Sequence, residues 1–232
     1  MKIAAVVLPC LAILFSSCAS VSVRTENRVG KQPVRKPEKI YVANFDTSHG
    51  TFKIAGAESS NPEAFKKKTS DLLATYVAKG LSDHVAPAVR TNTVSGVPKG
   101  GWLVTGEFIR VNTGSRVLRS GVGLGAGGTK METRVSVFDL STGSKPFLTF
   151  ETTGGSNAMP GLLSSTGPVS AAFSIVTQGM MGVTDDAART SRMITGELNT
   201  YLVEHGWLDK SKAYSVKKLG QYQLVHEQYF HQ

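Results

Sequence analysis

The pattern of hydrophobic and polar positions predicts five β-strands and two long helices. Residues that favour strands, in part with an alternating pattern, occupy five stretches bounded by turn residues. Ser141–Ser144 forms a turn signal between the fourth and fifth of them, so these two strands are expected to form a hairpin. The five stretches are Lys39–Phe45, Pro87–Val94, Gly101–Val111, Met131–Leu140 and Phe147–Thr153.

The first predicted helix follows a polar loop. Asn61 is a suitable N-cap and Pro62 a suitable first-turn residue. Gly80 marks one possible end of the helix, and His84 marks another. Its apolar positions recur at helical spacing and define one face: Phe65, Leu72, Leu73, Tyr76 and Val77.

The second predicted helix lies near the end of the chain. Thr184 is its predicted N-cap, and Asp185 and Asp186 suit the positive end of the helix dipole. Gly206 is its predicted exit. The apolar stripe of this helix consists of Ile194, Leu198, Tyr201 and Leu202.

The element order β-α-β-β-β-β-α predicts an α+β fold. Two main helices would pack on a small, mostly antiparallel sheet. The 232 residues fit one domain with tails, and the hydrophobic content of 41% is enough for a packed core. We place this domain at residues 39–207, followed by a basic, aromatic tail at 208–232 with no assigned structure.

The start of the chain predicts export. Lys2 precedes an apolar run of 13 residues, Ile3–Phe15, whereas a membrane-spanning helix needs about 20. Residues 1–17 are therefore interpreted as a signal peptide. The run ends in LFSSC (Leu14–Cys18), which resembles the lipobox of bacterial lipoproteins, although Phe15 replaces the usual Leu.

This resemblance implies that Cys18 carries lipid and becomes the first residue of the mature protein. Ala19 and Ser20 follow it, and the lack of Asp there implies the outer membrane, facing the periplasm. The alternative is cleavage at an ordinary site such as Ser17 or Ala19, which would release a free secreted protein. Cys10 is the only other cysteine, so the mature chain has no thiol for a disulfide, a zinc site or a nucleophile.

The formal net charge of +9 indicates an anionic partner. For an exported protein, lipid headgroups, lipopolysaccharide or cell-wall polymer are expected rather than nucleic acid. Basic residues cluster at Arg24–Lys39, together with Pro33 and Pro37. We interpret residues 18–38 as a basic tether, which is either a solvated linker or a segment that lies on anionic headgroups.

Glycines are concentrated in SGVGLGAGGTK (Ser120–Lys130), which superficially resembles a phosphate-binding loop. A dinucleotide fingerprint must lead into a helix, but here the predicted strand at Met131 follows. In a Walker motif Lys follows the second Gly directly, whereas Thr129 intervenes here. No nucleotide or other cofactor is therefore expected.

Two long segments carry no charge, residues 121–129 and 154–183. They are either ordinary loops with a short helix at 168–181, or surfaces that contact another subunit or lipid. The sequence leaves both interpretations open.

No catalytic constellation is evident in the sequence. The histidines lack metal-ligand spacing, and His84 and His205 fall near helix ends, where imidazolium would complement the dipole. Glu107 is predicted to pair across strands with Arg134 or Arg110. We therefore expect no enzyme activity and no metal, with an Asp/Glu-based hydrolase as the alternative.

The run Gly114–Gly143, preceded by GWLVTGEF (Gly101–Phe108), resembles a family of bacterial lipoproteins with a domain of unknown function. The resemblance spans about Tyr41–Trp207 and brings no activity with it. The element order is also similar to that of periplasmic lipoproteins such as the curli-secretion channel subunit, which implies assembly rather than chemistry. The expected function is assembly or protein binding; the alternative is binding of anionic envelope polymer or lipid through tether and tail.

Overall fold

The computed structural model describes residues 21–92, 94, 97–98, 100–114, 128–154 and 181–214. Two long helices pack on one seven-stranded sheet, which confirms the α+β class. Short 3₁₀ turns lie at Gly56–Ser60 and Lys210–Lys212. The helices are α1 (Pro62–His84) and α2 (Met181–Glu204); the strands are β1 (Val21–Arg28), β2 (Ile40–Ala43), β3 (Thr51–Lys53), β4 (Ala88–Thr91), β5 (Trp102–Asn112), β6 (Lys130–Asp139) and β7 (Leu148–Gly154).

The sheet is mixed rather than mostly antiparallel. Its strand order is β1-β7-β6-β5-β2-β4, and β3 pairs with β5 off this path. Strands β1, β7, β6 and β5 pair antiparallel, whereas β2 lies parallel to both β5 and β4. The parallel part follows from the long α1 crossover between β2 and β4, because a helix of this length returns the chain to the same end of the sheet.

The predicted basic tether, residues 18–38, is not an extended linker over its whole length, because part of it forms strand β1. Val21–Arg28 pairs with β7 along the sheet edge, and Val23 is half-buried against the core. Alternation of Val21, Ser22 and Val23 is a strand signal that the surrounding charges concealed. The three-residue strand β3 was also not predicted, since it is too short to have a recognisable period.

Helix α1 agrees with its predicted apolar face, and all five predicted residues of that face are buried. Asn61 caps it by accepting the Ala64 N–H at 3.1 Å, and the helix continues through Gly80 to His84. A methyl group on Gly80 would lie 2.4 Å from Thr195 Oγ1 of α2. Glycine therefore permits the close contact between the two helices.

Helix α2 begins at Met181, so the predicted cap at Thr184 is wrong. Val183 is buried in the core, which means that the apolar stripe starts before Thr184. Asp186 consequently lies past the first turn, where it is buried and pairs with Arg189 at 3.3 Å.

The exit of α2 at Gly206 is confirmed. Gly206 has a φ of 69°. Its N–H donates to the Val203 carbonyl at 3.1 Å, and the Trp207 N–H donates to the Leu202 carbonyl at 2.9 Å. This pair of bonds is a Schellman motif. No helix within the described ranges has the length and apolar character needed to cross a bilayer.

Candidate functional site

The two ends of the sheet adjoin different segments of the chain. We call the end that carries Asn112, Lys130 and Gly154 the glycine end, because the chain leaves it toward the glycine-rich segments. The opposite end, which carries Ile40 and Trp102, is the basic end.

A cleft of about 370 Å³ opens at the basic end. One wall is the basic segment, residues 31–39, which leads into β2. The others are the residues before β5 and the turn after β6. The lining consists of Arg35, Lys36, Pro37, Glu38, Lys39, Tyr41, Pro98, Gly100, Gly101, Trp102, Asp139 and Ser141.

Backbone hydrogen bonds hold the walls of the cleft together. The Trp102 N–H donates to the Lys39 carbonyl at 2.9 Å, and the Leu140 N–H donates to the Gly101 carbonyl at 3.0 Å. A side chain on Gly101 would collide with the Lys39 carbonyl, since an added Cβ would lie 2.2 Å from that oxygen. Gly101 and Trp102, at the start of β5, therefore connect the basic segment on one side to the turn after β6 on the other.

The basic segment itself is fixed to the domain rather than free. Gln32 donates through Nε2 to the Phe147 carbonyl at 3.1 Å and accepts the Tyr201 hydroxyl at 2.9 Å. Pro33 and Pro37 are both buried. The cations that follow Gln32 in sequence are therefore held at a defined place on the sheet.

Positive charge predominates at the mouth of the cleft. Arg35 and Lys36 are exposed and form no ion pair with any residue that the structure describes, while Lys39 Nζ lies 5.5 Å from the centre of the Tyr41 ring. Asp139 is buried and accepts both the N–H of Ser141, at 2.9 Å, and its hydroxyl, at 2.6 Å. Among the described residues of the lining, Glu38 is the only other carboxylate. Three cations around one exposed carboxylate favour an anionic ligand.

An aromatic cluster lies beneath the cleft. Trp102 is 1% exposed, and its ring centre lies 4.8 Å from that of Phe147 and 5.7 Å from that of Tyr201. Burial raises the pKa of the Tyr201 hydroxyl to about 12. His205 stacks on Tyr201 with ring centres 4.0 Å apart, and Trp207 closes the cluster 6.3 Å from Trp102.

The histidines predicted at helix ends lie there. His84 is the last residue of α1, and its ring centre lies 4.2 Å from that of Tyr214. His205 follows the last residue of α2, and its Nδ1 lies 2.8 Å from the Tyr201 carbonyl oxygen. Both rings have packing contacts that account for their positions.

Glu107 forms the predicted cross-strand pair with Arg134. Arg134 also donates from Nη2 to Glu151 Oε1 at 2.8 Å, so the ion pairs extend across three strands. The hydrogen bond that Arg134 donates to Glu151 is the main cause that raises the pKa of the Arg134 guanidinium. These side chains lie on the sheet face opposite the helices, where such pairs stabilise strand register rather than serve as catalytic acids.

A second polar cluster was not anticipated from the sequence. Arg90 of β4 donates to Asn44 at 2.9 Å and to Thr75 at 3.3 Å, and it also pairs with Asp71 of α1. Burial opposes ionisation of Asp71, but its bonds from Lys67 and Arg90 outweigh this and lower the pKa of the carboxyl. The cluster attaches the edge strand β4 to α1.

Several predicted features lie outside the described residues. They are the signal peptide with Cys18, residues 121–127 and 155–180 of the uncharged segments, and the tail from residue 215. Within the part that is described, no group of three or more His, Cys, Asp or Glu residues could hold a metal ion.

A family model described as "Domain of unknown function (DUF4410)" matches residues 40–183. The match begins at β2 and leaves out the basic segment of the cleft. No curated protein matches the chain.

Two solved structures of dodecameric PelC from Paraburkholderia phytofirmans, one of them a substitution variant, are similar to the chain at 11% identity. Each alignment covers 74% of this chain and 97% of the other, with TM-scores of 0.41 and 0.37. Values this low transfer neither an assembly nor a function.

Proposed function

We propose that this chain, which belongs to the family with the domain of unknown function DUF4410, is a non-enzymatic lipoprotein of the bacterial envelope that functions in assembly. Lipid on Cys18 would anchor it, with the domain on the periplasmic side of the outer membrane. The lipobox-like sequence Leu14–Cys18 supports the anchor. The observation that carries the assembly role is the open sheet, whose two outer strands, β1 and β4, each pair on one side only among the described strands.

Strand β4 is the better candidate for the contact. An edge strand can offer the N–H and C=O groups of its outer side to a strand of another chain. Val89 in the middle of β4 is 40% exposed, and Val94 just beyond it is 57% exposed. Exposed apolar side chains beside an edge strand favour a second protein chain over water, and the simplest such chain is another copy of this protein.

We therefore expect Val89→Lys to reduce the mass of the detergent-extracted protein from an assembly to a monomer. A lysine on an edge strand opposes strand addition, and its exposed position should leave the fold intact. Light scattering after size exclusion measures the mass. Val34→Lys is the matched control, because Val34 is 79% exposed but lies outside the sheet. A monomeric parent protein, or an assembly unaffected by Val89→Lys, would contradict self-assembly through β4.

The cleft at the basic end supports a second candidate, the binding of an anionic envelope polymer. Arg35 and Lys36 lie at its mouth without a carboxylate partner among the described residues. A polymer with regularly spaced carboxylates or phosphates would place one anionic group in the cleft and others along the exposed cations.

For this candidate we expect the double variant Arg35→Glu/Lys36→Glu to bind an immobilised polyuronate about tenfold more weakly at low salt, since charge reversal replaces attraction by repulsion. The difference should shrink as salt is added. Lys53→Glu/Arg192→Glu makes the same change in net charge at two exposed positions away from the cleft. Equal weakening by the two double variants would indicate a general charge effect and reject the cleft as the site.

A further inference from the structure

We infer, building on the proposed binding of an anionic polymer, that the cleft at the basic end binds a sugar acid. A sugar acid is a ring that carries both a carboxylate and hydroxyl groups. Its carboxylate would contact Arg35 and Lys36 at the mouth of the cleft, and one of its hydroxyls would donate to Asp139. The polymer would then be a polyuronate rather than a chain of phosphates.

Asp139 is a group in the cleft that a simple anion does not match. It lines the cleft, yet it is only 6% exposed. Both hydrogen bonds of its carboxylate use Oδ1, which accepts the N–H of Ser141 at 2.9 Å and the hydroxyl of Ser141 at 2.6 Å. Oδ2 accepts no hydrogen bond from any residue that the structure describes. Because a buried carboxylate oxygen without a donor is costly, Asp139 favours a ligand that brings a donor.

The cations of the cleft do not pair with Asp139. Arg35, Lys36 and Lys39 line the same cleft, but within the described part of the chain none of them forms an ion pair with this carboxylate. Lys39 Nζ lies instead 5.5 Å from the centre of the Tyr41 ring. The cleft therefore presents its positive charge and its acceptor at separate places, and a ligand has to match both.

A sugar acid meets both requirements. Its ionised carboxylate suits the guanidinium of Arg35 and the ammonium of Lys36, while its ring hydroxyls are hydrogen-bond donors. A phosphodiester carries the charge but no donor, so its oxygens would be repelled by Asp139 and would leave Oδ2 unpaired. The cleft volume of about 370 Å³ lies within the range of about 300–1,000 Å³ that is usual for small-molecule sites, so a sugar ring has room there.

Asp139→Asn tests the acceptor while it preserves the turn. Asparagine retains an oxygen that can accept from Ser141, but it replaces the second carboxylate oxygen by an NH₂ donor. We expect this variant to bind polygalacturonate about tenfold more weakly, because a hydrogen bond to a charged acceptor is lost. Its binding of linear polyphosphate should stay equal or become stronger, since a negative charge has been removed from the cleft. Equilibrium titration of the detergent-extracted protein measures both affinities.

Glu63→Gln is the matched control for Asp139→Asn. It makes the same change in net charge at a side chain that is 78% exposed and lies outside the cleft. A general effect of charge would strengthen the binding of both polymers in both variants. Stronger or unchanged binding of polygalacturonate by Asp139→Asn would therefore overturn the contact with Asp139. Equal weakening for both polymers would overturn it as well, since that result indicates a damaged cleft.

An O-acetylated polygalacturonate tests the same contact from the side of the ligand, because it retains its carboxylates but lacks hydroxyl donors. The parent protein should bind it about tenfold more weakly than the unmodified polymer, for the loss of the same hydrogen bond. Asp139→Asn should bind the two polymers equally. Equal binding of the two polymers by the parent protein would refute the hydroxyl contact.

Failure of the sugar-acid site is distinguishable from failure of the proposed polymer binding. If Arg35→Glu/Lys36→Glu weakens the binding of both polymers but Asp139→Asn does not weaken that of polygalacturonate, the cleft binds anions without selecting a sugar acid. A parent protein that binds neither polymer would reject the polymer-binding function, and the sugar-acid site with it.

Discussion

Gly101→Ala should lower the free energy of unfolding by about 2–5 kcal/mol, the combined cost of backbone strain and overpacking. Gly101 has a φ of 80°, which alanine rarely adopts. The new methyl would lie 2.2 Å from the Lys39 carbonyl oxygen, which already accepts the Trp102 N–H at 2.9 Å. Because that neighbour is backbone inside a hydrogen-bonded sheet, it cannot move aside without breaking the β2–β5 pairing.

The adjacent glycine provides the control for this prediction. A methyl on Gly100 would have no atom within 4 Å, so Gly100→Ala should change stability by less than about 0.5 kcal/mol. Urea unfolding followed by circular dichroism measures both variants. If both alanines cost the same, the loss would come from the loop in general and not from the contact with Lys39.

Trp102→Ala should cost about 3–5 kcal/mol of unfolding free energy, as for other buried large aromatic side chains. The side chain is 1% exposed and contacts Phe147, Tyr201 and Trp207, with ring centres 4.8–6.3 Å away. Its removal would leave a large cavity where α2, β5 and β7 meet, and surrounding rings cannot collapse fully into it. Urea unfolding again provides the measurement.

Trp102→Phe distinguishes loss of packing from loss of a particular indole contact. Phenylalanine retains an aromatic ring among the same neighbours, so we expect this variant to recover more than half of the stability lost in Trp102→Ala. An alanine variant with nearly unchanged stability would show that the aromatic cluster is not part of the cooperative core. Full loss in both variants would mean that the indole itself, and not the packed volume, is required.

These two residues also connect the fold to the proposed functions. Gly101 and Trp102 form one wall of the cleft, so its shape depends on the same contacts that stabilise the strand entry. An anionic polymer would bind at this cleft, whereas assembly would use the edge strand β4.

The sequence alone determined the main elements because their signals are local. The five buried apolar residues of α1 follow helical periodicity, Asn61 and Gly206 supply a cap and an exit, and Ser141–Ser144 supplies the hairpin turn. The pair between Glu107 and Arg134 was also predictable, since facing strands of a sheet favour opposite charges.

Only the tertiary structure decided how distant segments combine. Val21–Arg28 is too polar to predict as a strand by itself, and it is stabilised by pairing with β7, more than 100 residues later in the chain. The same pairing separates Cys18 from the cations at Arg35 and Lys36, which in the sequence belonged to one tether. Local patterns record which residues can form an element, whereas the long-range pairing of strands, set by burial against the two helices, decides which residues become neighbours.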